Sequence, residues 1–229
     1  MMGRRDVLKR TVMAGALLLS GCGSTEMFRY KMTVEVETPE GVKTGFAVRE
    51  MRYRNGDGFM FGEGKPQLRL IGEAVAVDVA PGKTLFALLT GQDGYVDYAG
   101  NGVSTVFRVM DTDGGPKGGP HELWPKVPVI RKPITDPLPM LVTFKDNSDP
   151  KSVEQVDPAD LAANFGPGVM LKRITVEAAD EDVTVGITKR LRWLEAQKSR
   201  LVPSSKRYLD EISLVERVGP TDFDTELLK

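Results

Sequence analysis

Tyr30-Lys31-Met32-Thr33-Val34-Glu35-Val36-Glu37 is the stretch that decides the fold class of this chain. Apolar and polar residues alternate in it with a period of two, which predicts a β-strand with one buried face. Its apolar residues are expected to face a core, and its charged residues to face water. Pro39-Glu40-Gly41 then indicates a turn, and residues 44–53 predict a second strand. The two strands together predict a β-hairpin.

Further strand patterns follow the hairpin at residues 67–80, 84–89, 103–110, 138–144, 169–177 and 183–187. The segment at 84–89 is a continuous apolar run, which favours a central strand buried on both faces. Gly72 is interpreted as a bulge within the first of these patterns.

Two segments predict helices. Asp157 would cap the first, Pro158 would take its first helical position, and Gly166 would end it. The second covers residues 188–198, with Leu191 and Leu194 near one face. Short strands with only one or two short helices predict a mainly β to α+β fold, either an antiparallel β-sandwich or a partly open barrel.

Residues 114–139 are rich in proline and glycine, which excludes a helix or a central strand there. Apolar residues are spread through the segment, so a plain flexible linker does not fit it either. We expect an extended strap that lies across the domain, or else a connection between two subdomains. Within this strap, the predicted contact surface for a partner consists of Leu123, Trp124 and Ile130.

The N-terminus has the three zones of an export signal, namely a basic start, an apolar run at 12–19 and small residues before a cysteine. The apolar run is far shorter than the ~18–20 residues of a membrane-spanning helix, so it does not predict a lasting transmembrane anchor. A buried amphipathic helix is the alternative interpretation. The expected organisation is a cleaved signal peptide at 1–21, a lipid-anchored tether at 22–27 and a single strand-rich domain at 28–229.

Leu19-Ser20-Gly21-Cys22 resembles the lipobox of bacterial lipoproteins. The resemblance implies that the Cys22 thiol receives a diacylglyceryl group, that the leader is cut before Cys22, and that the new amino group is acylated. Each buried methylene contributes about 0.8 kcal/mol, so two or three acyl chains would hold the protein without a hydrophobic helix. The protein would then be anchored in a membrane and face the periplasm. Gly23, in place of Asp after the cysteine, favours the outer membrane over the inner one.

Arg4-Arg5-Asp6-Val7-Leu8-Lys9 resembles the twin-arginine export motif, whose pathway carries folded proteins. Val7 stands where Phe is common in that motif, and Gly3 stands where Ser or Thr is common. General secretion, with a signal that happens to begin with Arg4 and Arg5, is the alternative route. In the mature part, residues 33–41, 156–162, 165–168 and 173–177 resemble an uncharacterised set of bacterial exported proteins. That resemblance implies a single structural unit and supplies no catalytic residues.

The chain has 229 residues, of which 31 are basic and 32 acidic. The leader holds four of the basic residues and one of the acidic residues, so the mature part has 27 and 31, a net charge near −4. This balance gives no electrostatic support for nucleic-acid binding. Cys22 is the single cysteine. Once lipidated, it would leave a domain with no disulfide, no thiol nucleophile and no thiolate metal site, which its core alone must stabilise.

No segment predicts a catalytic residue, a metal site or a cofactor. His121 is the single histidine, and no Gly-x-Ser-x-Gly elbow accompanies it, so we interpret it as a loop residue. Residues 93–101 and 111–114 lack the full calcium-loop pattern, and the glycine-rich segments 62–66 and 114–119 lack the phosphate-loop spacing. An arginine of the basic segment 189–194, stacked on Trp193, could bind an anion, a partner or lipid headgroups. We favour the other interpretation, in which the segment is a surface helix with Trp193 half-buried.

The leading functional hypothesis is therefore a non-enzymatic cell-envelope lipoprotein whose domain binds an envelope protein or supports an envelope assembly. The alternative is a lipid-anchored periplasmic hydrolase acting on envelope carbohydrate or peptide, because acidic side chains are plentiful. A cleft with converging carboxylates or His121 would favour the enzyme. A surface with an exposed apolar patch would favour binding.

Overall fold

The computed structural model describes residues 25–54, 67–92, 121–124, 138–197, 199–201 and 212–228. Several features expected from the sequence lie outside these residues: the leader with Arg4 and Arg5, the anchor Cys22, the glycine-rich and calcium-like loops, the strand at 103–110, and Ile130.

The described residues form two antiparallel sheets. The strands are β1 (Thr25–Thr38), β2 (Gly41–Arg54), β3 (Gln67–Ile71), β4 (Val75–Ala80), β5 (Lys83–Gly91), β6 (His121–Trp124), β7 (Pro139–Phe144), β8 (Val153–Gln155) and β9 (Met170–Ala178). The five-stranded sheet has the order β3-β2-β1-β9-β6, and the four-stranded sheet has the order β4-β5-β7-β8. The predicted mainly β to α+β fold with packed antiparallel sheets is confirmed, and the described strands form no closed barrel.

The helices are single turns between or after the strands. They are α1 (Ala162–Phe165), α2 (Ile187–Arg190) and α3 (Leu214–Arg217). Short 3-10 turns occupy Pro150–Ser152, Arg192–Glu195, Pro220–Asp222 and Thr225–Leu228.

The opening hairpin follows from the alternating pattern of β1. Its even-numbered apolar residues are fully buried: Tyr30, Met32, Val34 and Val36. Each of them belongs to a core cluster that also contains residues of the four-stranded sheet. The predicted hairpin is thus confirmed, and it is long, since Thr25 pairs with Arg54 and Thr38 with Gly41. The first strand begins inside the segment 22–27 expected to be a tether.

Gly72 separates two strands that the sequence suggested were one. Residues 67–71 belong to the five-stranded sheet and residues 75–80 to the four-stranded sheet, so the interpretation of Gly72 as a bulge was wrong. Gly72 has φ +143°, and a Cβ there would lie 2.9 Å from Cγ of Arg49. Only glycine fits at this passage from one sheet to the other.

Both helix predictions need correction at their boundaries. The segment after Asp157 begins as a turn, in which the Asp157 carboxylate accepts from the Ala159 amide at 2.8 Å, so the helix itself starts at Ala162. It ends at Gly166 as expected. The second helix breaks at Leu191 into α2 and a 3-10 turn. The strand expected at 183–187 is absent from the described chain, where Val185 is exposed in a loop and Ile187 begins α2.

The four-stranded sheet is buried on both faces, which explains the continuous apolar run of β5. One face packs on the five-stranded sheet. The other is covered by the C-terminal segments, where the rings of Phe86, Phe144, Trp193 and Phe223 meet at centroid distances between 5.7 and 6.0 Å. The five-stranded sheet therefore supplies the face of the sandwich that looks outward.

Candidate functional site

Ion pairs occupy the middle of the outer face of the five-stranded sheet. Because the even-numbered residues of β1 fill the core, its odd-numbered residues lie on the outer face, next to those of β2 and β9. Salt bridges then join neighbouring strands. They are Arg29–Glu50 at 2.9 Å, Lys31–Glu177 at 3.1 Å and Glu35–Arg173 at 2.5 Å. Arg29, Lys31 and Glu35 of β1 are thus each paired with an opposite charge on a neighbouring strand.

The pKa shifts of two glutamates follow from these pairs. Hydrogen bonding to Arg173 is the main reason that the pKa of Glu35 lies below its usual range. Burial opposes ionisation of Glu50, but hydrogen bonds from Arg29 and Arg52 together outweigh it, so the pKa of Glu50 is also lowered. Both carboxylates therefore bind basic side chains on the sheet, as is typical of ion pairs with a structural role.

Large apolar side chains are exposed on the same face at the end near the hairpin turn. Phe46 and Val42 of β2 are 57% and 45% exposed, and Met170 of β9 is 57% exposed. Register places Val42 opposite Glu37 of β1, and Glu37 opposite Met170. Phe46 lies opposite Thr33. An exposed phenyl ring beside an exposed valine on one strand favours contact with another protein surface.

The edge of β2 is closed over part of its length and open over the rest. β3 pairs with β2 from Glu50 to Arg54. Next along the strand, the Val48 amide donates to the Thr184 hydroxyl at 2.8 Å, and the Thr184 amide donates to the Val48 carbonyl at 3.0 Å. Loop residues 179–186 thereby close the edge at Val48, which is buried.

Beyond Val48, the edge has no partner in the described part of the chain. Alternate residues of a strand direct their backbone groups to the same side, so Val42, Thr44 and Phe46 share the orientation of Val48 and point away from β1. No described residue pairs with their amides or carbonyls. We call these backbone groups of Val42, Thr44 and Phe46 the open edge. It combines unpaired backbone groups with exposed apolar side chains, which is what strand addition requires.

Close packing underneath holds the open edge in place. Gly45, between Thr44 and Phe46, lies directly against β4, and a Cβ at this position would overlap the carbonyl oxygen of Ala76. The absence of a side chain lets the two sheets approach closely at this point. The open edge therefore belongs to a strand packed within the sandwich and not to a loop, which favours a preformed binding site.

A buried polar cluster that no local pattern predicted lies behind the same strand. The fully buried Arg49 donates from Nε to the Glu73 carbonyl at 2.9 Å and from Nη2 to the Ala87 carbonyl at 3.4 Å. Burial raises the pKa of the neighbouring Tyr30 phenol, an effect that Arg49 partly offsets. Burial also raises the pKa of the Glu73 carboxyl, although this carboxylate accepts from the Ile187 amide at 2.8 Å. Through Arg49, the cluster ties β2 to the segment at Glu73 and to β5.

The contact surface predicted in the strap is only partly described. Leu123 is 4% exposed and packs in the core, so its place in an accessible contact surface is corrected. Its strand, β6, lies at the edge of the five-stranded sheet, where Trp124 pairs with Ile174 and His121 with Val176. An apolar residue in a proline-rich segment can serve a core or a partner, and the sequence alone did not separate the two.

The basic segment 189–194 is engaged within the fold. Trp193 packs its ring against Phe223 and donates from Nε1 to the Asn147 carbonyl at 3.1 Å. Arg190 forms a 2.6 Å salt bridge with Asp78. Trp193 is half-buried as expected. Since these side chains have partners inside the domain, the open edge of β2 is the stronger candidate for recognition.

No helix in the described ranges is both long enough and apolar enough to cross a membrane. Within the same ranges, histidine and acidic side chains form no group of three suited to a metal ion. Comparison with known proteins found no matching family model, no matching curated protein and no matching solved structure.

Proposed function

We propose that this chain is a non-enzymatic cell-envelope lipoprotein, anchored through lipid on Cys22, whose β-sandwich binds a protein partner by strand addition at the open edge of β2. The observation that carries the proposal is a change in backbone pairing along the outer edge of β2. The edge is paired by β3 and closed by Thr184, and beside the exposed Phe46 no residue in the described ranges pairs with it.

Strand addition supplies affinity and specificity through different groups. Backbone amides and carbonyls of the partner would pair with those of Val42, Thr44 and Phe46. Side chains on the outer face would then cover Phe46 and Val42, removing apolar surface from water at about 25 cal/mol per Å². Natural sheets protect long edges against unintended pairing. An edge left open next to a phenyl ring is therefore best explained by a partner.

The anchor follows from the resemblance of residues 19–22 to a lipobox. β1 begins at Thr25, so only a very short tether separates the lipid from the sheet. The strand rises about 3.3 Å per residue. Since Phe46 lies opposite Thr33 and Val42 opposite Glu37, the open edge starts roughly 25 Å along the sheet from Thr25 and ends roughly 40 Å from it. The binding segment is thereby kept away from the lipid attachment point, on the periplasmic side of the outer membrane.

Photo-cross-linking in intact cells tests the binding site. Benzoylphenylalanine would replace Phe46 in the full-length chain, and Met170 in a matched control, because both side chains are 57% exposed on one face. Met170 is separated from β2 by β1. We expect adducts from position 46 that are much weaker from position 170. Equal adducts at both positions, or none at 46, would reject the open edge as the binding site.

A second variant tests backbone pairing at the open edge separately from contact by the Phe46 side chain. Thr44→Pro removes an amide that points away from β1, so the hairpin loses no ladder hydrogen bond. Adducts from position 46 should disappear in this background. Persistence of the same adducts would show that Phe46 contacts its partner without strand addition.

The anchor has its own test. Cys22→Ser should abolish palmitate labelling and leave the leader attached in the full-length chain. Normal leader removal in this variant would indicate ordinary secretion and reject the lipid anchor. Replacing Arg4 and Arg5 by lysine should block export by the twin-arginine route.

A further inference from the structure

The geometry points to a second copy of this chain as the partner at the open edge, through antiparallel pairing of two β2 strands centred on Thr44. This inference rests on the proposed function, because it names the partner that the edge binds.

The register of the open edge is complementary to itself. When Thr44 faces Thr44 of the second copy, Val42 faces Phe46 and Phe46 faces Val42. All three residues direct their backbone groups to the free side of β2. Facing residues of this kind exchange both of their N–H···O bonds across an antiparallel pair. One arrangement thus satisfies every backbone group of the open edge in both copies.

Other registers of the two β2 strands would pair fewer backbone groups of the open edge. Bringing Phe46 opposite Thr44 would place Val42 opposite Val48, whose backbone groups are already bonded to Thr184. Shifting the other way would place Phe46 opposite Glu40, which belongs to the hairpin turn. Thr184 and the turn therefore limit the pairing from both ends, and the centre falls on Thr44.

The facing side chains are also compatible. Phe46 and Val42 are both apolar and exposed, and cross-strand pairs of aromatic and β-branched residues stabilise sheets by roughly 0.2–1 kcal/mol each. Two threonines meet at the centre. The one charged residue within the segment is Lys43, which would face Gly45 of the second copy and already lies 3.5 Å from Glu40. No like charges would therefore oppose one another.

The symmetry is consistent with anchoring in one membrane. The rotation axis of an antiparallel strand pair runs perpendicular to the sheet, so the two N-termini leave from opposite ends of the joined sheet. Thr44 lies opposite Glu35, ten residues from Thr25 along β1. At about 3.3 Å per residue, the two Thr25 residues, at which the strands meet their tethers, would lie roughly 65 Å apart. Both tethers can reach the same membrane when the joined sheet lies along it.

Cysteine cross-linking of the full-length chain tests the pairing. Facing Cα atoms of a bonded pair lie about 5.5 Å apart, within the range of a disulfide. Thr44→Cys should form a species of twice the chain mass under mild oxidation, beyond any background from Cys22 in the wild-type chain. Glu37→Cys, exposed on the same face but on the inner strand β1, should stay at the background level. Equal dimer formation by the two variants, or none by Thr44→Cys, overturns the inference.

The register centred on Thr44 can also be tested with a pair of cysteine variants. Val42→Cys and Phe46→Cys should each cross-link weakly with themselves and strongly when the two variants are co-expressed. In detergent, the hydrodynamic mass of the wild-type and Met170→Arg chains should be twice that of Phe46→Arg. If all of these chains are single copies while position 46 still gives adducts with another protein, the homodimer is rejected and strand addition stands. If position 46 gives no adducts of any kind, both fail.

Discussion

Val48 and Thr184 bond to each other in both directions across the edge of β2. The Val48 amide donates to the Thr184 hydroxyl at 2.8 Å, and the Thr184 amide donates to the Val48 carbonyl at 3.0 Å. The pair lies next to Phe46, the last residue of the open edge. It therefore marks the point on β2 beyond which no described residue pairs with the edge, and at which the proposed partner strand would begin.

Removal of the Thr184 hydroxyl should destabilise the domain. Thr184→Val keeps the shape of the side chain but leaves the amide of the buried Val48 without an acceptor. We expect the free energy of unfolding to fall by about 1–2 kcal/mol, measured by urea denaturation of the full-length chain in detergent. The neighbouring Val185 is 80% exposed, so Val185→Thr should change this free energy by less than about 0.5 kcal/mol. Equal effects of the two substitutions would argue against the pair.

The buried Arg49 should contribute through its hydrogen bonds to carbonyls. Arg49→Met retains much of the buried volume and removes the donors to the Glu73 and Ala87 carbonyls. We expect a loss of about 2 kcal/mol, because two buried acceptors lose donors while a buried charge is relieved. Arg69, with a side chain 58% exposed, supplies the control Arg69→Met, which should stay within about 0.5 kcal/mol of the wild type. An Arg49→Met chain as stable as the wild type would contradict a structural role for the cluster.

Glu73 should make stability fall as the pH rises. Burial raises its pKa in the folded chain, with a smaller contribution in the same direction from Asp224, while the amides of Ile187 and Gly186 and the charge of Arg49 partly oppose the shift. Below the pKa of a glutamate in the unfolded chain, the Glu73 contribution is fully present. It is lost as the pH rises through the folded pKa.

The measurement is the difference in unfolding free energy between the wild type and Glu73→Gln across acidic to neutral pH. The wild type should lose stability relative to this variant as the pH increases. Glu35→Gln is the opposite control, because the Glu35 pKa is lowered and its ion pair is lost on acidification. A constant difference for Glu73→Gln would show that its carboxyl has the same pKa in both states.

The sequence predicted the hairpin and the buried strand because those features depend on local periodicity. Alternation in β1 and the apolar run of β5 both appear in the burial of their side chains. The break at Gly72 was missed because the restriction there comes from Arg49, a residue on another strand. No local pattern records such a contact.

The open edge could not be predicted from sequence either. Whether a strand has a free edge depends on strand order and on segments distant in the chain, here β3 and Thr184. Phe46 was part of a predicted strand, but its exposure followed only from the register. The prediction for Leu123 was wrong in the opposite sense, because this apolar residue was expected to contact a partner and instead packs in the core. Val42 and Phe46 share one face of β2, and this shared face is the local signal for the site, although periodicity does not tell which face is exposed.

Residue-level hydrogen exchange of the membrane-bound full-length chain tests the central claim most directly. Amides at an unpaired edge exchange quickly, whereas amides bonded in a ladder are protected. We predict slow exchange at Thr44 and Phe46 in the wild type and fast exchange at Thr44 in Phe46→Arg. Val34 and Val36, which pair within the hairpin, should be slow in both. Fast exchange of the Thr44 amide in the membrane-bound wild type would contradict a partner strand at the open edge.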